Sequence, residues 1–216
     1  MPQVPRLVAT IFHEQSNLEM AAAFFRFRKT LFVDECGWNL PVCSDTETDQ
    51  FDTPSAVYCT LLAQDIVVGG FRAIRCDKPY LARDVFPHLA TLRPYPRRPD
   101  YWEISRFGVR RHQRGYGVLL YAVMFQFALL RSAKALVAVA DLGHERLLSK
   151  LGIRTRRYGP PFTLGNAHMR EPIQIVAGEI PLAEQDRRRM QFLRTCTEAM
   201  EIHDDTLVWR PSRVSA

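Results

Sequence analysis

The sequence predicts an α/β fold, a three-layer α-β-α sandwich around a mixed central sheet. Three observations lead there. Two β-rich runs, residues 56–64 and 65–76, meet at a short polar turn and read as an antiparallel hairpin. Residues 101–153 then run strand, glycine-bearing turn, long apolar helix, strand and helix, an order that lays crossover helices over neighbouring strands. Amphipathic segments near both ends supply further helices to cover the sheet.

Taken in order, NLEMAAAFFRFRKTLFV (17–33) sets apolar residues at helical spacing behind an asparagine able to cap. The overlapping stretch RKTLFVDECGWNLPVCSDTETDQFD (28–52) ends as a loop without apolar period, although it gathers Arg28, Phe32, Trp38, Asp49 and Asp52. AVYCTLLAQ and DIVVGGFRAIRC are the hairpin strands, turning at Gln64-Asp65, and the second carries Arg72. KPYLARDVFPHLATLRPYPRRPD is punctuated by prolines and reads as a loop with a short helix at most. YWEISRFGV is a strand, VRRHQRGYGVLLYAVMFQFALLRSA a turn running into a helix, ALVAVAD a strand and HERLLSKLGI a helix. PIQIVAGEIPL and AEQDRRRMQFLRTCTEAMEI add a last strand and a last amphipathic helix. No repeat and no linker interrupts the order, so residues 1–216 read as a single domain.

Composition narrows the function classes. A hydrophobic content of 47% over 216 residues supports a sizeable core. No window approaches the ~20 apolar residues of a membrane span, and MPQVPRLVATIFHEQ lacks the build of a signal peptide, so a cytoplasmic protein without a membrane partner is expected. The five cysteines are odd in number and form no C-x-x-C pair, which points to reduced thiols. No metal is expected, because neither a zinc spacing nor a His/Cys cluster appears. The net charge of +6 calls for anionic partners, yet the arginines are scattered and no helix-turn-helix, zinc-finger or RNP signature accompanies them. Nucleic acid is therefore not expected; a phosphorylated small molecule or an acidic carrier protein fits the charge.

The turn RRHQRGYGVLLY sets Gly115 and Gly117 ahead of a helix, where free backbone N–H groups and the helix dipole favour an anion. The strand, turn and helix together resemble the central motif of the GCN5-related N-acetyltransferases, whose R/Q-x-x-G-x-G/A loop holds the pyrophosphate of coenzyme A. His112 stands at the first position of that pattern, with Arg111 and Arg114 beside it.

A second pattern is more specific. Arg28, Phe32, Trp38, Asp49, Asp52, Arg72, Glu103 and Arg106 form R-x3-F-x5-W-x10-D-x2-D-x19-R-x30-E-x2-R. This register resembles the N-acyl-homoserine lactone synthases, the autoinducer synthases of bacterial quorum sensing, at eight hallmark positions and over about residues 20–165. The resemblance implies an acetyltransferase-like fold and an acyltransferase. Such enzymes move an acyl group from a thioester to the amine of S-adenosylmethionine and then close a lactone, releasing methylthioadenosine; both molecules are substrates, with no tightly bound cofactor.

The roles implied follow residue by residue. S-adenosylmethionine carries an ammonium, a carboxylate and a sulfonium, so its site draws on Arg28, Phe32, Trp38, Asp49, Asp52, Arg72, Ser105 and Arg106. Asp49 and Asp52 hold or neutralise the ammonium, Arg28 or Arg106 grips the carboxylate, and Phe32 and Trp38 face the adenine or sulfonium. On this reading the 28–52 stretch is a substrate lid. Glu103 is the first choice of general base and Asp49 the second, while a backbone N–H near Phe107 meets the oxyanion. Phe107, Val109, Arg111, Arg114, Gly115, Gly117 and Ala138 are assigned to the acyl donor. The donor is acyl-CoA or acyl-carrier protein; the glycine turn with Arg111 and Arg114 favours coenzyme A, whose free phosphates need a local cradle. Ala138 offers no hydroxyl where several relatives making 3-oxo products carry Thr, which favours an unsubstituted chain. His144 and Glu145 read as a solvated first helical turn. An ordinary N-acetyltransferase, or an idle binding module of the same fold, has no need of the eight-residue register.

Overall fold

The computed structural model describes residues 7–111, 115–165, 171–198 and 200–207. The chain begins with β1 (Leu7–Phe12) and α1 (Leu18–Arg28), which a π-helical turn, Lys29–Glu35, prolongs. A two-strand ribbon, β2 (Val42–Cys43) and β3 (Thr46–Glu47), leads to the long hairpin β4 (Val57–Ala63) and β5 (Ile66–Arg75). Then come α2 (Leu81–Val85), β6 (Tyr101–Val109), α3 (Tyr116–Leu130), β7 (Ala135–Asp141) and α4 (Leu142–Lys150). Short strands β8 (Arg156–Arg157) and β9 (Phe162–Leu164), then β10 (Ile173–Pro181), α5 (Arg187–Glu198) and β11 (Glu201–Asp204), complete the order.

Nine strands form one mixed sheet in the order β11-β1-β4-β5-β6-β7-β10-β8, with β9 also on β10. Pairing is antiparallel except at β1–β11 and β6–β7. Helix α1 packs on β4 and β5 and α2 on β6 and β7, covering one face; α3, α4 and α5 cover the other. This is the three-layer α-β-α arrangement.

Local chemistry explains the elements. Asn17 caps α1 by accepting the Met20 N–H at 3.0 Å, and the apolar stripe Ala21, Phe24, Phe25 and Phe27 is buried. Phe24 lies so close to the sheet that a Cβ on Gly70 would stand 2.5 Å from its ring, which is why β5 carries glycine there. All seven residues of β4 are buried, as befits a strand covered on both faces. The hairpin turns through Gln64 and Asp65, both at positive φ (51° and 61°), the twist that suits a two-residue connection. Helix α3 is apolar almost all round and buries Leu120–Phe125 in the larger core.

Three differences from the sequence reading have physical causes. The N-terminal run LVATIF is a strand, because β4 and β11 pair on either side of it; six residues carry no decisive period alone. The C-terminal helix is described over Arg187–Glu198, and Glu201–Asp204 forms β11 on β1 instead of a last helical turn. The 28–52 stretch begins in the π-helical turn and closes through β2 and β3 rather than forming an unstructured loop.

All five cysteines are free thiols. No helix among the described residues is long and apolar enough to cross a membrane.

Candidate active site

Parallel strands β6 and β7 pair only over Tyr101–Glu103 and Ala135–Val137. Beyond those residues they diverge, so the facing backbone groups of the two strands have no ladder between them. A cavity of about 670 Å³ occupies the gap, lined by Ile104–Val109 from β6 and Ala138–Asp141 from β7. That volume suits a small-molecule site. Its walls are largely aliphatic, among them Leu81 and Val85 from the α2 side and Met124 and Leu148 from the α3 and α4 side.

Against one end of the cavity stands a closed ring of ion pairs. Arg28 donates Nε–H to Glu47 at 2.6 Å, and Nη1 and Nη2 to Asp52 at 2.8 and 2.9 Å. Arg72 donates Nη1 to Asp52 at 2.9 Å, and Nη1 and Nη2 to Asp49 at 2.5 and 3.0 Å. Arg106 closes the circuit, from Nη2 to Asp49 at 2.9 Å and from Nε and Nη2 to Glu47 at 3.0 and 2.8 Å. Three guanidiniums and three carboxylates therefore neutralise one another in a site nearly free of water. Burial by itself would raise the carboxyl pKa values; the arginines outweigh it and hold Glu47, Asp49 and Asp52 below the usual carboxylate range.

Strand geometry aims the ring. Successive residues of a strand face opposite sides, yet Ser105 accepts from Arg72 Nε at 3.1 Å while Arg106 bonds to Glu47 and Asp49. The register shift between Gly70 and Arg72, with Arg106 at φ 52°, brings both side chains to the same network.

The predicted residues fall into three groups. Phe32, Trp38, Ser105, Arg106, Phe107, Val109, Arg111 and Ala138 line the cavity. Phe32 and Trp38 stack with ring centroids 4.9 Å apart. Arg28, Asp49, Asp52 and Arg72 stand in the ring behind that wall, and Arg106 belongs to both. Arg28, expected to grip a substrate carboxylate, is fully buried with Nε, Nη1 and Nη2 all engaged. Arg106 differs: its Nη1 makes no hydrogen bond among the described residues. Asp49 is the most open carboxylate of the ring, with a side chain 12% exposed against 0% for Glu47 and 5% for Asp52.

Glu103 does not line the cavity, although its neighbours Ile104 and Leu81 do. It is 1% exposed and accepts the backbone N–H groups of Ala82 at 2.6 Å and Leu81 at 3.1 Å. Burial pushes its carboxyl up to about 7 despite those donors and the Arg72 charge. Gly115, at φ 98°, is the residue before α3, and Gly117 lies in that helix's first turn; neither lines the cavity. Arg114 and His112 lie outside the described residues. Arg111 is exposed and donates Nη2 to the Glu35 carbonyl at 3.0 Å.

Sequence reasoning missed Glu47. It carries two arginines of the ring and is wholly buried, and the available signal was its i, i+2 spacing to Asp49 within the acidic run DTETDQFD. It also read His144 as a solvated residue, whereas His144 lines the cavity and hydrogen-bonds Tyr121.

A mixed sheet covered by helices on both faces, with a parallel strand pair splayed over a cavity, is the acetyltransferase-like fold. The autoinducer synthase family model matches residues 12–190. An acyl-homoserine-lactone synthase of Acinetobacter nosocomialis is 31% identical over 170 residues, 73% of this chain and 93% of the relative. Another, from Ralstonia nicotianae, is 32% identical over 169 residues, covering 72% of this chain and 83% of the relative. Among solved structures, BjaI, a CoA-dependent acyl-homoserine lactone synthase with SAM and isopentyl-CoA, superposes with a TM-score of 0.80 at 25% identity, over 92% of this chain and 93% of its own. The chain belongs to the autoinducer synthase family. It is an acyltransferase of quorum-sensing signal synthesis.

Proposed function

We propose that this enzyme transfers an acyl chain from acyl-CoA to the amine of S-adenosylmethionine and lactonises the product at the β6/β7 cavity. The observation that carries the reading is the cavity itself. One continuous space joins an aromatic pair and a charged rim, suited to S-adenosylmethionine, to a long aliphatic wall suited to an acyl chain.

Each group has a task that its surroundings permit. The Phe32–Trp38 stack offers π surface to the adenine or the sulfonium. Arg106 Nη1 takes the methionyl carboxylate, and Asp49, the open corner of the ring, takes the ammonium. Glu47 holds Arg106 and Arg72 holds Asp49, while Arg28 and Asp52 close the ring behind them.

Acylation needs a neutral amine. Glu103 accepts the first proton through a bridging water, since its carboxyl sits behind the cavity wall and titrates near neutrality. The thioester carbonyl lies at Phe107, where β6 has left β7 and a backbone N–H can meet the oxyanion. The acyl chain runs along Val109 and Ala138 into the aliphatic wall. In the second step the carboxylate attacks the methylene carbon beside the sulfonium, and methylthioadenosine departs; placement suffices for that displacement.

For the donor, Arg111 stands at the cavity with the glycine turn close by in sequence, a position suited to coenzyme A phosphates. BjaI is likewise CoA-dependent. Acyl-carrier protein is the second reading, favoured by the basic surface; it predicts docking that weakens with salt.

The deciding experiment incubates the protein with S-adenosylmethionine and a panel of acyl-CoAs and acyl-carrier proteins, following methylthioadenosine by mass spectrometry. Release with an acyl-CoA at least as fast as with the matching carrier protein is the expected result. Strong preference for the carrier protein would overturn the coenzyme A assignment, and no release with any donor would overturn the reading as a whole.

A further inference from the structure

Acyl transfer to an ammonium removes two protons from nitrogen, and the function proposed above gives only the first of them a carrier, Glu103. As the C–N bond forms and the tetrahedral carbon expels the thioester sulfur, the C–S electron pair passes to sulfur. The sulfur then needs a proton, and the nitrogen still holds one too many.

Three side chains meet where that exchange takes place. Phe107 of β6, Tyr121 of α3 and His144 of α4 all line the cavity. Their ring centroids form a triangle: 4.5 Å from Phe107 to Tyr121, 5.7 Å from Phe107 to His144 and 5.8 Å from Tyr121 to His144. The Tyr121 hydroxyl and His144 Nε2 are hydrogen-bonded to each other. From behind, Asp141 accepts the His144 backbone N–H at 2.8 Å, which fixes the first turn of α4. Nδ1 of His144 makes no hydrogen bond among the described residues. Burial lowers the imidazole pKa, against the Asp141 charge, and raises that of the Tyr121 phenol, so the pair rests as neutral imidazole and intact phenol.

We propose that His144 carries the second proton of acyl transfer from the substrate nitrogen to the departing sulfur, with Tyr121 as its positioning residue. Nδ1 takes the proton from the newly acylated nitrogen, giving an imidazolium whose Nε2–H is held by the Tyr121 oxygen. The same Nδ1–H then goes to the thiolate, and His144 returns to its neutral form. One proton leaves nitrogen and one reaches sulfur, so the cycle closes without an added reactant. This inference rests on the acyl-transfer reading above.

The test is the leaving group. An aryl thiolate is acidic enough to depart without a proton, whereas the alkyl thiolate of coenzyme A leaves more slowly without one. His144→Gln and Tyr121→Phe would each be assayed with the best acyl-CoA and with the thiophenol ester of the same acid. For His144→Gln the expected loss of kcat/KM is roughly 100- to 10,000-fold with acyl-CoA and only a few-fold with the aryl ester. Tyr121→Phe should show the same pattern with a smaller loss. The ratio between donors is taken on one preparation, so a partly inactive sample cannot mimic it. Equal losses with both donors, or no loss with acyl-CoA, would overturn the proposal. A wild type that releases no methylthioadenosine with either ester would overturn the acyl-transfer reading first.

Discussion

Arg28 donates Nε–H to Glu47 Oε2 across 2.6 Å, and neither side chain has any solvent exposure. Glu47 also holds Arg106, so removing its charge leaves two buried guanidiniums short of a partner. Breaking a buried pair from one side costs about 3–5 kcal/mol. Glu47→Gln should lower the melting temperature by roughly 6–20 °C, taking about 2–4 °C per kcal/mol at this size. A melting temperature within a degree or two of wild type would show that the ring closes without Glu47.

The same ring makes the fold acid-labile. Glu47, Asp49 and Asp52 have folded pKa values below their unfolded ones, so the stability they contribute is present above about pH 4 and is lost as pH falls through the lowered folded values. Thermal denaturation from pH 6 down to pH 2 should show a steep fall, and Asp52→Asn should flatten it. An unchanged slope in that variant would remove Asp52 from the cause.

Glu103 has the opposite sign. Burial pushes its carboxyl up to about 7, above the ordinary glutamate value of 4.5, so its favourable contribution is complete below pH 4.5 and is lost as pH rises through 7. The span corresponds to about 3 kcal/mol. Glu103→Gln should abolish that slope between pH 4.5 and 7 and lower kcat/KM by roughly 100- to 10,000-fold. In the wild type, kcat/KM should rise with pH through an apparent value near 7. A variant that turns over at a near wild-type rate with the same pH profile would exclude Glu103 as the base.

Trp38 is half-buried against Phe32, at 4.9 Å between centroids, and faces the cavity. Loss of a cation–π or stacking surface worth ~0.5–2 kcal/mol raises a KM roughly 2- to 30-fold. Trp38→Ala should therefore weaken S-adenosylmethionine binding by that factor with only a small change in melting temperature. A large thermal loss with unchanged affinity would make Trp38 a packing residue.

Arg111 has a side chain 62% exposed, with Glu35 as its neighbour. If it meets the donor's phosphates, Arg111→Glu should raise the KM for acyl-CoA about tenfold or more and leave that for S-adenosylmethionine unchanged. Should instead wild-type turnover with acyl-carrier protein outpace acyl-CoA and collapse as salt rises, the contact is a docking charge of another kind.

The sequence by itself determined the layer order and named most of the residues that the structure gathers at the cavity and the charge ring. The hairpin at Gln64-Asp65, the helix behind Asn17 and the strand-turn-helix around Gly115 are local signals, carried by period, cap and turn chemistry within a few residues. The eight-residue register was legible because its members keep fixed spacings. Tertiary structure alone decided how those members divide. Arg28 and Arg106 are the same residue type, yet one has every nitrogen engaged inside the ring while the other also lines the cavity, at a register shift and a positive φ in β6. The placement of Glu47 in the ring and of His144 at the cavity was decided in the same way. A carboxylate 59 residues from Arg106, and an imidazole 23 residues from Tyr121, meet those partners only when non-local packing closes a ring or a cavity around them. The strand β1 likewise depends on non-local partners: a short apolar run has no strand period of its own, and its backbone hydrogen bonds are supplied by β4 on one side and, from near the other end of the chain, by β11 on the other.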